Sequence, residues 1–393
     1  MLHNTFCRRL AALVLTLAVA VSAVLPVFAV YPMPVQTATE TEAVYLFNAD
    51  TGKTILSQNA DQQKYVASLT KLMTALLLVE SGKDLNGEVT VPTDLTQEFK
   101  DIQNANGTTM GLRIGETVRR IDLLNAMLIV SANDAASVIA WDVGGSVVGF
   151  VQQMNARAAE LGMTNTTFRN ACGLDTEGHL STARDVAVLS RYLLNTCPEL
   201  LHYTGIWTDS LRNGQTQLVN TNKLLRRYSG ITGLKTGTTS GAGVCISASA
   251  TRDGLTLIAV VLGSPSSADR FHSATTLLDY GFANYAAAPL PALPERPLAL
   301  AVKGSIEDSV PLDYAALPET ILIEKGTASA LRAELTLPEA LEAPVEKGQT
   351  VGKVSIFQDD TLLNEYEVKA AADAPLLTFG GALELLWQCL LGA

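Results

Sequence analysis

Residues 68–80 read Ser68-Leu69-Thr70-Lys71 followed by LMTALLLVE. The run after Lys71 has a helical pattern with almost no polar interruption, and a helix that is apolar all round is a core helix. It opens on a serine and a lysine three positions apart. Residues at that spacing share one face of a helix, about 5–6 Å apart, so an amine sits beside a hydroxyl. Serine is a weak nucleophile at its own pKa and needs a base. Lysine can be that base where burial and nearby cations lower its pKa toward neutrality. The plainer reading is a serine, or a neighbour, capping a helix that Gly82 ends, with an ordinary surface lysine behind it. The apolar run weighs against a surface lysine, because a buried ammonium is costly without a partner.

Working outward, AVYLFNADTGKTILSQNAD (43–61) gives two short strands about a turn at Asp50-Thr51-Gly52. Residues 84–118 mix short strands and polar loops. From Arg120 the chain reads as two helical pieces, with further helices near 146–161 and 182–194. Beyond 210 the period changes. Segments 233–239, 241–250 and 255–263 are strand-like, with a hairpin turn at Arg252-Asp253-Gly254, and a last helix covers roughly 269–285. Strands at both ends with helices between them predict an α+β domain. In it an antiparallel sheet joins the two ends, and a helical cluster covers one face.

Two further short sequences carry polar groups into this frame. Ser131-Ala132-Asn133 interrupts the apolar helical pair after Arg120 and, alone, is a helix break with a cap. Lys235-Thr236-Gly237-Thr238 opens the strand-rich stretch, with Gly233, Gly241 and Gly243 nearby. A strand bare of large side chains lets a peptide lie alongside it by backbone hydrogen bonding. Lys235 and Thr238 offer an ammonium and a hydroxyl to a carboxylate. Alone, this too is an ordinary turn in a sheet.

The rest of the 393 residues divides by composition. Residues 1–29 have a basic Arg8-Arg9 pair, an uncharged apolar run and small side chains at Val27-Phe28-Ala29: a secretory signal by pattern, with an uncleaved anchor as the alternative. Residues 38–287 form the first domain. A Pro/Ala-rich stretch, 286–297, supplies a linker, taken as 288–297. Residues 298–372 are short apolar segments between Gly, Pro and acidic turns, which predicts a small all-β domain. The tail, 376–393, places Leu376, Phe379, Leu383, Leu386 and Leu390 at helical spacing with Glu384 as its only charge. That suits an interfacial, membrane-associated helix, or else a helix docked on the domain before it. It has no basic cluster, so attachment would rest on apolar insertion and not on anionic lipid.

With 28 Lys and Arg against 39 Asp and Glu, the net charge of −11 is wrong for the phosphate backbone, and no nucleic-acid partner is expected. A chain 48% hydrophobic is not a disordered one. The five cysteines, of which Cys172, Cys197, Cys245 and Cys389 lie outside the signal, show no CxxC pair or ligand cluster. They read as buried small hydrophobes, and neither a metal nor a cofactor is implied.

SxxK, then SxN, then KTG, in that order and behind an export signal, resembles the serine D-Ala-D-Ala carboxypeptidases of the low-molecular-mass penicillin-binding protein family. HLSTARD (179–185), TRDGLTLIAVVLG (251–263) and LLDYGFANY (277–285) extend the resemblance over about 38–370. It implies a transpeptidase-like domain of the β-lactamase type, the C-terminal β domain and a tail at the outer leaflet of the cytoplasmic membrane. It implies that Ser68 is acylated, that Lys71 takes its proton and that Ser131 helps shuttle protons. Asn133 would bond the substrate amide, and Lys235, Thr236, Gly237, Thr238 and Arg270 would bind the terminal carboxylate region. The backbone N–H groups of Ser68 and Thr238 would form the oxyanion hole. The implied substrate is the peptidoglycan stem peptide, with β-lactams as inhibitors.

The chain departs from that pattern at Cys172, where many relatives have histidine, and at Asn220-Thr221-Asn222, where some have arginine. Glu160 falls in a helical segment and reads as solvated. His179 reads as a surface residue. The alternatives are a β-lactamase or D,D-endopeptidase using the same site, and a wall-binding homologue without catalysis. Intact Ser68, Lys71 and Lys235 argue against the last of these.

Overall fold

The computed structural model describes residues 37–293, 295–327 and 331–391, so the signal segment 1–29 lies outside the described residues. The chain opens with β1 (Ala43–Asn48) and β2 (Thr54–Gln58), then a 3-10 turn over Ala67–Thr70 that runs into α1 (Lys71–Glu80). An excursion follows: β3 (Glu88–Thr90), α2 (Thr96–Asn104) and β4 (Thr117–Arg119). The helical body comprises α3 (Arg120–Ile129), α4 (Asn133–Gly144), α5 (Val147–Glu160), α6 (Ala183–Thr196) and the short α7 (Glu199–Thr204). After a small hairpin, β5 (Thr208–Leu211) and β6 (Thr216–Val219), come β7 (Ile231–Thr239), β8 (Gly243–Arg252), β9 (Leu255–Ser264) and α8 (Ser267–Asn284).

The main sheet has the order β2-β1-β9-β8-β7 and is antiparallel throughout, so the N-terminal hairpin does meet the C-terminal strands. The helical cluster covers one face, and α8 covers the other. Val44 and Leu46 of β1 face Ala274, Leu277 and Leu278 of α8. Ala43, Tyr45 and Phe47 point the other way, to Ala183, Val186 and Ala187 of α6. The run Leu257 to Leu262 of β9 is fully buried, which is the mark of a strand apolar on both faces.

Helix α1 is the axle of the helical body. Every residue from Lys71 to Leu78 is buried, and Leu72, Met73 and Leu76 join one core with Leu123, Met127, Val138 and Ile139 of the neighbouring helices. Helix α2 lies where the sequence predicts short strands and polar loops: it is polar overall and buries only Ile102, with Leu95 and Phe99 on the same inward face.

Strand β10 (Tyr285–Pro289) occupies the start of the stretch read as linker. It pairs with a strand of the C-terminal domain. That domain contains β11 (Ala299–Lys303), β12 (Ser309–Asp313), β13 (Thr320–Glu324), β14 (Leu331–Thr336), β15 (Leu341–Glu342), β16 (Thr350–Gln358) and β17 (Thr361–Ala370). Six of these strands make one sheet, β14-β16-β17-β12-β11-β15, over a core of Val310, Val354, Ile356 and Val368. The partner of β10 is β13. The tail forms α9 (Phe379–Leu391), on which Phe379, Leu383, Leu386, Trp387 and Leu390 are all exposed.

Candidate active site

The three short sequences converge. Ser68 lies in the 3-10 turn, not at a helix cap: the residue before α1 is Thr70, and no side chain caps it. The next turn brings Lys71 round, and its Nζ donates to Ser68 Oγ at 2.9 Å, Asn133 Oδ1 at 2.6 Å and the carbonyl oxygen of Cys172 at 2.5 Å. Lys71 is 0% exposed. Burial lowers its pKa to about 8, against the opposing pull of Cys172 and Asp134. The amine is thus far easier to deprotonate than that of an exposed lysine.

The turn that carries Ser68 is strained and tightly enclosed. Ala67, immediately before Ser68, has φ +48°, a left-handed conformation that costs a non-glycine residue about 1–3 kcal/mol. Two glycines press on it. A Cβ on Gly173 would meet Ala67 O at 1.9 Å, and one on Gly237 would meet Ala67 Cβ and Ser68 N at 2.8 Å. Gly237 thus lets β7 run close beside the Ser68 turn, where a side chain would collide. Alignment of the loop under Lys71 comes from Asn170, whose Oδ1 accepts from the N–H groups of Cys172 and Gly173, and from Thr74, whose hydroxyl donates to Ala171 O at 2.6 Å.

Around Ser68 opens a cleft of about 790 Å³, in the range of small-ligand sites. Ser68, Ser131, Asn133, Thr236, Gly237, Thr238 and Arg270 all line it. Asn133 begins α4. Ser131, at φ +68°, turns the chain between α3 and α4, and among the described residues it has no hydrogen bond to Lys71 or Ser68. Thr236 Oγ1 shares a 2.6 Å hydrogen bond with Thr221 Oγ1. Thr238 is exposed at the cleft edge. Lys235 is buried beneath the strand and donates to Thr236 O at 2.8 Å. Its pKa is pushed well down, first by burial and then by Lys71 and Arg270.

Arg270, on the first turn of α8, reaches back to β7 and β8. It donates to Gly237 O and Cys245 O at 3.2 and 3.1 Å. Its Nε is buried without a hydrogen-bond partner among the described residues, and burial lowers its pKa to about 10, which leaves it cationic at neutral pH. Two buried amines, Lys71 and Lys235, thus stand behind a cleft lined by the cationic Arg270, a site that favours an anionic ligand in an otherwise acidic protein.

The departures at Cys172 and at 220–222 acquire physical roles. Lys71 is held by the backbone carbonyl of Cys172, which any side chain there would supply. The thiol itself is buried, and burial raises its pKa, so it stays protonated. Asn220 and Asn222 are buried and tie this segment to Thr204 O, Ile206 O and Gly233 O.

Sequence reasoning misplaced His179 and passed over Asp134 and Asp175. His179 is not a surface residue: it is 1% exposed, directly behind Thr70. Asp134 is buried and accepts from the N–H groups of Met110 and Leu112, pinning the loop that flanks the cleft. Asp175 bridges the loop 170–178 to the β7–β8 turn through Thr239 Oγ1 and Gly241 N. Asn-Ala-Cys-Gly has the Asx-turn form that announces such a loop. A lone histidine carries no comparable signal. Glu160, as expected, is a solvated helix residue, paired with Arg157.

A serine backed by a buried lysine, beside a threonine-rich strand in this two-domain frame, defines an active-serine acyl-transfer enzyme of the penicillin-binding protein class. Residues 32–266 match the family model described as D-alanyl-D-alanine carboxypeptidase, and 300–375 match that of the penicillin-binding protein 5 C-terminal domain. The chain is 33% identical over 347 residues to the D-alanyl-D-alanine carboxypeptidase DacF of Bacillus subtilis, across 86% of this chain and 88% of that protein. The structure of penicillin binding protein 5 from Haemophilus influenzae superposes with a TM-score of 0.75 at 29% identity, covering 88% of this chain and all of that one. Penicillin-binding protein D2 of Listeria monocytogenes, solved with cefotaxime bound, matches 63% of this chain and 99% of its own at 32% identity and a TM-score of 0.54. The chain belongs to the D-alanyl-D-alanine carboxypeptidase family, and it is a serine carboxypeptidase acting on peptidoglycan.

Proposed function

We propose that Ser68 is the acylated residue and Lys71 its base, in removal of the terminal D-alanine from the stem pentapeptide. The observation that carries this is the Lys71 amine, wholly buried, with a lowered pKa and 2.9 Å from Ser68 Oγ. Lys71 takes the hydroxyl proton as Oγ bonds to the carbonyl carbon of the penultimate D-alanine. The C–N bond breaks, and the departing amine takes a proton through Ser131. Water then adds to the ester, the acid product leaves, and the proton returns to Ser68. The backbone N–H groups of Ser68 and Thr238 stabilise the oxyanion, a placement supported by the close approach of β7 at Gly237, where an added Cβ would stand 2.8 Å from Ser68 N. Asn133 bonds the substrate amide. Lys235, Thr236, Thr238 and Arg270 receive the terminal carboxylate.

β-Lactams enter the same cleft and acylate Ser68. Intact-mass measurement after exposure to a penicillin is expected to show one adduct, mapped to Ser68 and absent from Ser68→Ala. Raising pH through about 8 removes the Lys71 proton and supplies the base, so the acylation rate rises with pH and levels off above that point. An adduct on another residue, or a rate that falls between pH 6 and 9, contradicts the assignment.

The enzyme is exported by segment 1–29 and rests on the outer face of the membrane through its tail. Supporting this, Phe379, Leu383, Leu386, Trp387 and Leu390 of α9 are exposed. The full chain is expected to float with neutral phosphatidylcholine vesicles as well as with anionic ones. Trp387→Glu combined with Leu390→Glu should leave it in solution. Flotation of that variant, or dependence on anionic lipid, contradicts the tail's role.

A further inference from the structure

Thr70 and His179 sit against the nucleophile's turn, and the reaction above uses neither. The hydroxyl of Thr70 has one proton and two neighbours. Its Oγ1 lies 2.9 Å from Ala67 O and 2.8 Å from His179 Nε2. A carbonyl oxygen only accepts, so the hydroxyl donates to Ala67 and must accept from His179 Nε2–H. At the far side of the ring, Nδ1 lies 3.1 Å from the backbone nitrogen of Arg169, which only donates. Both ends therefore demand the same neutral tautomer. The result is one directional chain: Arg169 N–H to His179 Nδ1, His179 Nε2–H to Thr70 Oγ1, and Thr70 Oγ1–H to Ala67 O. Burial, by depressing the ring's pKa to about 4, keeps it in that form. The edge of the ring against Phe168 fixes its plane.

The chain of hydrogen bonds ends on the carbonyl of the strained residue that precedes Ser68. We propose that His179 is a positioning residue: through Thr70 it holds the Ala67 peptide in its left-handed conformation and thereby aims Ser68 Oγ at Lys71. This rests on Ser68 being the acylated residue. His179 moves no proton in the reaction, since its one N–H is committed to Thr70. Without that N–H the Thr70 hydroxyl is free to turn, and Ala67 loses the restraint on its carbonyl. The carboxylate-binding side of the cleft is untouched, so the effect belongs to the bond-forming step and not to binding.

The test is stopped-flow acylation by a chromogenic β-lactam, resolving the non-covalent Kd from the first-order acylation constant. In Thr70→Val and in His179→Phe, the acylation constant should fall about ten- to a hundredfold, the scale of a small misplacement of reacting atoms. The Kd should stay within about twofold. Thr70→Ser keeps the hydroxyl and His179→Gln keeps an N–H donor near the Nε2 position, so both should recover most of the rate. The double variant Thr70→Val with His179→Phe should be no slower than the slower single one, because the two act as one unit. Wild-type acylation in a folded Thr70→Val, a loss confined to Kd, or losses that multiply in the double variant would overturn the inference. Should His179→Phe not fold, the Thr70→Val and Thr70→Ser pair decides alone. Ser68→Ala, run alongside, separates the two levels. An adduct that persists in it removes the nucleophile assignment and this inference with it. An adduct lost in it, beside an unchanged Thr70→Val, removes the inference alone.

Discussion

Lys71→Ala is expected to slow acylation of Ser68 by about 10²–10⁴-fold, the usual contribution of a positioned general base. The amine is the group within hydrogen-bond reach of Ser68 Oγ whose pKa lies near neutrality. Lys71→Arg should fail as badly, although it keeps the charge. A guanidinium stays protonated and cannot accept the serine proton. Its planar fork also does not fit the three-acceptor site made by Ser68, Asn133 and Cys172 O. The alanine change removes the cost of a buried cation but leaves Asn133 Oδ1 and Cys172 O without their donor, so the fold should survive with a lowered melting temperature. Rapid-quench acylation, with a melting curve for each variant, checks both statements. An arginine variant that acylates at near the native rate would show that Lys71 acts by charge and not as a base.

Gly173→Ala should be nearly as damaging by a different route. At φ +85° the residue already favours glycine, and an added Cβ would stand 1.9 Å from the Ala67 carbonyl oxygen. That neighbour is backbone and cannot swing away. Left-handed strain of about 1–3 kcal/mol and overpacking of about 1–3 kcal/mol together predict a fall in melting temperature of roughly 5–15 °C for a domain of this size. Acylation should fall too, because the loop that must retreat is the one whose Cys172 carbonyl holds Lys71. Differential scanning calorimetry beside the acylation assay measures both. An unchanged melting temperature would mean that the loop does not press on the nucleophile's turn.

The gathering of Ser68, Lys71, Asn133, Lys235, Thr236 and Arg270 was legible before any coordinates. The three-residue spacing put Ser68 beside Lys71, the change of period beyond 210 put Lys235 and Thr236 on a strand, and Asn133 and Arg270 came only from the resemblance to the family. Burial of Lys71 followed from LMTALLL, since nothing on that helix could face water. What stayed hidden is what backbone and distant contacts supply. Cys172 looked like a lost side chain, yet the function there belongs to its carbonyl. His179 looked like a surface residue because a lone histidine has no period, and its burial arises where loop 165–182 folds over Thr70. The second covered face of the sheet could have been read from LTLIAVVLG, a continuous apolar run and not an alternating one. Helix α2 shows its period only through Leu95, Phe99 and Ile102, in a segment that is otherwise polar and mostly unburied.

The central claim is that this chain hydrolyses a D-Ala-D-Ala bond at Ser68. Release of free D-alanine from a peptide ending in D-Ala-D-Ala, by the full chain and by Ser68→Ala, tests it most directly. The account predicts steady release by the native enzyme and none by the variant, with a peptide ending in L-Ala-L-Ala left uncut. Release that continues in Ser68→Ala, or no release by a native enzyme that still forms a penicillin adduct, would contradict it.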